Sequence, residues 1–106
     1  GAQIIAHPAN LVLPGVAQLT MRARALENRV FTVTANRIGE ERRGGESLRF
    51  TGQSQIVSPR GEVLASSPEG AEEAVAVEID PAIALDKRLT PLNDLLADRR
   101  VDLYEL

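Results

Sequence analysis

One histidine, one lysine and no cysteine bound what this chain can do to a substrate. Without cysteine these 106 residues hold no disulfide scaffold, no zinc–thiolate centre and no thiol nucleophile. A Ser-His-Asp arrangement would need His7 as its base, but His7 precedes Pro8 at a strand end and no Gly-x-Ser-x-Gly marks a serine partner. A part-buried polar residue satisfied by backbone is the better reading of His7. Glu40-Glu41 and Glu72-Glu73 are neighbouring carboxylates in polar stretches, and acids of that kind are ordinarily solvated. Gly44-Gly45 lacks the strand-to-helix turn and the lysine of a phosphate loop. Arg42-Arg43 is a pair, not a basic patch, and no calcium-loop spacing occurs. The residue types alone describe an α/β domain with no catalytic residue, no metal and no nucleic-acid surface of its own.

Position says more than residue type. In open α/β units, ligands gather where loops leave the carboxyl ends of parallel strands. Here those places are residues 7–15, after a first strand, and Asn36-Arg37, after a second. Asn10 carries an amide that can both donate to and accept from a polar substrate. It can equally be a turn residue after Pro8-Ala9, and both readings stay open on these grounds.

The elements that would position those loops follow from hydrophobic spacing. Gln3-Ile4-Ile5-Ala6, closed by His7-Pro8, reads as a buried strand. Residues 7–15 read as a loop between two prolines. Leu19, Ala23, Leu26 and Val30 recur at helical spacing, which predicts a helix over 17–29 with that stripe inward and Arg22 and Arg29 on the other side. Arg24 and Glu27 can pair along it. Residues 30–36 alternate Phe31, Val33 and Ala35 with Thr32 and Thr34, a strand pattern. Together these make a βαβ unit with parallel strands and a right-handed crossover.

Residues 38–48 read as a charged surface loop, and 50–57 as a strand with Gly52 inside it. Ser58-Pro59-Arg60-Gly61 fits a type I turn, 62–66 a returning strand, 67–70 a second turn and 74–80 a third antiparallel strand. Asp80-Pro81 and Thr90-Pro91 are helix-start signals. The second should lead into a short helical piece over 92–98, ending at Arg99-Arg100.

The chain length suits one domain, and 43% hydrophobic residues with only three aromatic side chains give an aliphatic core. No run approaches the roughly 18 apolar residues of a membrane span. A net charge of −3 argues against a generic phosphate-backbone binder. No basic leader precedes an apolar stretch, so the cytoplasm is the expected compartment. The abrupt apolar start looks cut from a longer polypeptide.

Five segments, in order, resemble the second half of the nitrilase (carbon–nitrogen hydrolase) superfamily. They are residues 1–10 (GAQIIAHPAN), 21–28 (MRARALEN), 33–39 (VTANRIG), 50–64 (FTGQSQIVSP with GEVL) and 86–104, with DKRLTPLND and DRRVDLY. The resemblance implies an α/β (α+β layered) fold. It would be half of an αββα sandwich, with a βαβ unit, an antiparallel β-meander and an extended tail over 81–106 that serves oligomerisation. It implies hydrolysis of amides, nitriles or carbamoyl compounds by a cysteine nucleophile, a glutamate base and a lysine that stabilises the tetrahedral intermediate. Those three lie upstream of the matching residues. Lys87 does not match the catalytic lysine, and Glu27 looks like an ion-pair residue. What carries over is substrate contact at Ala9 and Asn10, with Leu11 beside them. Thiol hydrolysis needs no cofactor, and none is expected. The expected partners are a small amide or nitrile substrate and a second copy of the chain. The contrasting expectation is a non-catalytic structural or interaction module with the same half-fold.

Overall fold

The computed structural model describes residues 1–104. In chain order its elements are β1 (Ile4–Ala9), α1 (Val16–Asn28), β2 (Phe31–Asn36), β3 (Ile38–Arg43), β4 (Glu46–Thr51), β5 (Gln55–Val57) and β6 (Val63–Ser66). A 3₁₀ turn (Pro81–Leu85), β7 (Arg88–Thr90), β8 (Asn93–Asp94) and a second 3₁₀ turn (Val101–Leu103) complete it. The main sheet has the order β1-β2-β5-β6. β1 and β2 are parallel, in register from Ile4 opposite Phe31 to Ala9 opposite Asn36, and α1 joins them. The βαβ unit stands as the spacing predicted, and the fold is mixed α/β.

β1 runs further than its apolar letters suggested, through His7-Pro8-Ala9. It can do so because β1 lies at the sheet edge. The carbonyls of Gln3 and Ala9 accept from Phe31 N and Arg37 N on the β2 side. By strand parity the nitrogen of Pro8 then faces the free edge, where no donor is needed.

α1 has the predicted span but a different inner face. Ala25 is the buried residue, with Gln18 and Met21 half-buried, whereas Leu19 is 70% exposed and Ala23 and Leu26 also face outward. The reason is polar. The sheet surface under α1 carries Thr32, Thr34 and Gln55, all buried, and these need partners. Gln55 Nε2 donates to Gln18 O at 2.8 Å, and Thr32 Oγ1 reaches Met21 O at 3.5 Å. Arg22 and Arg29, one heptad apart, both grip the Ser58–Gly61 turn: Nε of Arg22 donates to Gly61 O and Nη1 of Arg29 to Pro59 O. Arg29, expected on the outer face, is buried. The turn itself is as predicted, with Gly61 N donating to Ser58 O at 2.9 Å.

The end of α1 explains Lys87. Arg29 takes a left-handed conformation (φ 51) and its N–H returns to Ala25 O and Leu26 O. Lys87 Nζ donates to Asn28 O and Arg29 O, 2.9 Å each, placing a cation on the negative end of the helix. Its role is structural.

Residues 38–48, expected as a loop, form the β3–β4 hairpin. Gly44 and Gly45 both have positive φ, the two-residue turn that right-twisted strands favour. The predicted 50–57 strand is two strands. Gly52 (φ 59) and Gln53 (φ 53) break it, so β4 belongs to the hairpin and β5 to the main sheet.

The tail departs most. Residues 74–80 form no strand; Val77 and Ile79 are half-buried while Glu78 and Asp80 are exposed, but Val75 is exposed as well, so the alternation holds only over 77–80. Asp80 caps the first 3₁₀ turn by accepting from Ala82 N. Residues 92–98 form no helix. Thr90 Oγ1 accepts from Leu92 N as a cap would, but Asn93 and Asp94 pair with β7, and Asp94 Oδ1 accepts from both Leu96 N and Ala97 N. So short a segment cannot offset helix nucleation. The tail expected to serve oligomerisation ends at Glu105-Leu106, which lie outside the described residues.

Replacing Gly61 (φ +77) by Ala should cost about 1–2 kcal/mol in chemical denaturation. A Cβ there would sit 3.4 Å from that of Leu26, in a backbone region that L side chains avoid. Asp86 gives a pH prediction. The Arg88 guanidinium holds its carboxyl down to about 2, from an ordinary 3.8. Stability from this pair is therefore present above pH 3.8 and lost as pH falls through about 2. Arg88→Met should bring the carboxyl titration, followed by carbon-detected NMR, back toward 3.8.

Candidate functional site

The carboxyl ends of β1 and β2 are tied together by one side chain, Asn36. Its Oδ1 accepts from Leu11 N at 2.8 Å. Its Nδ2 donates to Gly52 O at 2.7 Å and to Thr51 Oγ1 at 3.1 Å. Its main-chain N donates to Ser54 Oγ at 2.9 Å. Leu11 O in turn accepts from Thr51 N (2.9 Å) and Thr51 Oγ1 (3.2 Å). Three segments far apart in sequence are thereby pinned around the loop that leaves β1.

Within that loop, Ala9 is half-buried and its carbonyl accepts from Arg37 N at 3.1 Å. Asn10 is exposed, and its carboxamide has no hydrogen-bond partner among the described residues. Asn10, Leu11, Val12, Leu13, Val16 and Ala17 line an open depression of about 220 Å³. An apolar wall with one uncommitted amide suits a small polar substrate with an aliphatic part. Among the described residues the Asn10 side chain makes no bond to its own backbone; Asn10 and Leu11 line the depression, and Ala9, the last residue of β1, does not.

The other candidates stay apart from it. His7 Nδ1 lies 3.2 Å from Thr34 Oγ1, its neighbour across the parallel pair, so it is satisfied by a side chain and not by backbone. Glu40 is paired with Arg42 and Ser47, and these bonds hold its carboxyl below the usual range, Arg42 first. Glu41 pairs with Arg37, and Arg24 with Glu27. Glu72 and Glu73 are exposed. Among the described residues no group of three or more acidic, His or Cys side chains could hold a metal. No helix there is long and apolar enough to cross a membrane.

Sequence reasoning marked Asn36 by place, as the residue at the end of the second parallel strand, but not by role. The available signal was a carboxamide at a strand end where alternation would allow any side chain. Thr51 and Ser54, its partners, gave no signal at all.

Residues 1–87 match the family described as Carbon-nitrogen hydrolase. The match covers the N-terminal region of the chain and stops before the tail, so it does not mark the C-terminal placement that the sequence suggested. A nitrilase from Pyrococcus abyssi is 51% identical over 98% of this chain, which spans 38% of that protein. A carbon-nitrogen hydrolase from Helicobacter pylori has a similar structure, with a TM-score of 0.76 at 26% identity over 98% of this chain and 40% of that one. An amidase from Nesterenkonia, solved with acrylamide added at its active-site cysteine, has a TM-score of 0.68 at 28% identity, over 97% of this chain and 35% of its own. This chain therefore spans well under half the length of these relatives.

Thr51→Val would remove one of the two acceptors of Asn36 Nδ2 and the hydroxyl bond to Leu11 O. Leu11 O keeps Thr51 N and Asn36 Nδ2 keeps Gly52 O, so thermal and denaturant unfolding should show a loss of about 1 kcal/mol, the net worth of the hydrogen bonds removed.

Proposed function

The chain belongs to the carbon-nitrogen hydrolase family, and from that premise we propose that it forms one wall of the substrate pocket of a hydrolase acting on a non-peptide C–N bond. The substrate class is a small amide, nitrile or carbamoyl compound. The cysteine, glutamate and lysine that carry the chemistry lie on polypeptide outside these 106 residues. The cysteine thiolate would attack the substrate carbon, the glutamate would accept its proton, and the lysine would stabilise the developing oxyanion. This chain contributes no reacting atom. Ala9, held by Arg37, fixes the strand end from which the rim leaves, and Asn10 offers its free amide to the polar end of the substrate.

One observation carries the reading: the surface is far larger than a self-contained chain would leave. It measures 7539 Å², against about 5,800 Å² for a monomer of this mass. The radius of gyration is 16.9 Å, against about 13 Å for a compact chain of this length. Toward the β1 edge, the sheet face opposite α1 exposes Ile4, Ala6, Pro8 and Ala35. A second sheet bearing the triad would cover that face and complete the sandwich. The tail, where Leu92 is 89% exposed, is the segment we assign to contact with a second copy.

Ammonia release is the direct test. The 106-residue chain should release none from aliphatic amides or nitriles, and the polypeptide carrying the triad should. In that polypeptide Asn10→Ala should raise KM by about tenfold, the effect of one lost hydrogen bond of ~1.4 kcal/mol. Turnover by the short chain alone would end the proposal.

A further inference from the structure

Each partner of the Asn36 carboxamide fixes which end of the amide it meets. A main-chain N–H can only donate, so Leu11 N takes the oxygen. A carbonyl can only accept, so Gly52 O takes the nitrogen. At this reach a carboxamide is the side chain that serves both together, whereas a carboxylate has no donor. The bond to Leu11 is the one that matters for the rim. Leu11 has its N–H held by Asn36 and its carbonyl held by Thr51, and the carbonyl of Ala9 is held by Arg37. Asn10 sits between two fixed neighbours, with its own side chain uncommitted.

We infer that Asn36 is a positioning residue for substrate binding: acting through Leu11, it holds Asn10 at the depression lined by Leu11, Val12 and Leu13, without touching substrate. The inference rests on the pocket-wall reading above. Asn36 does its work by polarity matching, so a near-isosteric change should fail for an electronic reason. In Asn36→Asp the carboxylate still accepts from Leu11 N but faces Gly52 O, now 2.7 Å from a donor, with no proton to offer. Protonation supplies one donor back.

The test uses the complete hydrolase, with ammonia release from a small aliphatic amide. Asn36→Asp should raise KM about tenfold at pH 7.5, with kcat within about threefold of wild type, the split expected when ground-state positioning is lost. The KM ratio to wild type should shrink as pH falls and the introduced carboxyl becomes neutral. Asn36→Ala should show the same rise in KM at every pH. Hydrogen exchange at the Leu11 amide should quicken about tenfold or more in both variants, while the buried Val57 amide stays protected. If Asn36→Ala does not fold, Asn36→Asp and its pH profile decide alone. An unchanged KM in Asn36→Asp, a loss confined to kcat, a KM ratio independent of pH, or an unchanged Leu11 exchange rate overturns the inference. If Asn10→Ala raises KM while Asn36→Asp does not, the pocket wall stands and this inference falls. If neither moves KM, both fall.

Discussion

A carboxamide that must donate and accept at once is the constraint on which this structure turns. Asn36 closes the mouth of the parallel pair by meeting Leu11 N, Thr51 Oγ1 and Gly52 O. The backbone groups it satisfies lie where the main sheet ends and no ladder continues, so they would otherwise need water or remain unpaired. The same bonds decide where the β3–β4 hairpin stands. Gly52 N donates to Arg37 O at 3.0 Å beside them, so the hairpin leaves and re-enters the sheet at one point. Ser54 then receives the main-chain N–H of Asn36 and hands the chain on to β5. Loop, hairpin and sheet are three elements with one joint.

Polar pairing also sets the helix, because the apolar core is small. Its buried members include Ala25, Val30, Phe31, Phe50, Val57 and Ala84, while Thr32, Thr34 and Gln55 are equally buried in the sheet. Burial of such groups is tolerated only with partners, and partners have direction where apolar contact has none. Gln55 therefore dictates which turn of α1 lies over β5, and the arginine pair dictates its tilt against the Ser58–Gly61 turn. Small Ala25 is the fully buried residue of the inner face. The leucines of α1 are left outward, where they are available to another surface.

These facts explain what could be read from the letters. The βαβ unit was legible because strand alternation in 30–36 and apolar residues at helical spacing in 17–29 are local signals. The Ser58–Gly61 turn was legible because Pro and Gly fix φ by themselves. The inner face of α1 was not, since a stripe of leucines marks a face that wants burial without saying what will bury it. The hairpin was missed because charge was read as loop, although Gly44-Gly45 supplies its turn. In 74–80 the alternation holds only from Val77 to Asp80, and the segment forms no ladder although β6 ends the main sheet. The loop of Ala9 and Asn10, proposed above to meet substrate, was singled out by the position rule for parallel strands together with the family resemblance. The role of Asn36 was not, for it depends on three partners that only folding brings within 3.1 Å.

The division of labour in the proposed pocket follows from the same geometry. A nucleophile needs a proton acceptor and a fixed positive donor close by, and among the described residues His7 is engaged with Thr34 and Lys87 is spent on the far end of α1. What this segment does offer is a rim whose main chain is held at Ala9 and Leu11 and whose one free group is an amide. Rigid backbone with an uncommitted polar tip selects substrate by shape and hydrogen bonding, and leaves charge development to be stabilised elsewhere. Substrate selection and bond cleavage would then sit on separate stretches of chain, brought together where a second sheet covers the exposed face opposite α1. A change in the loop after β1 should retune which amide or nitrile is bound while leaving the reacting groups undisturbed.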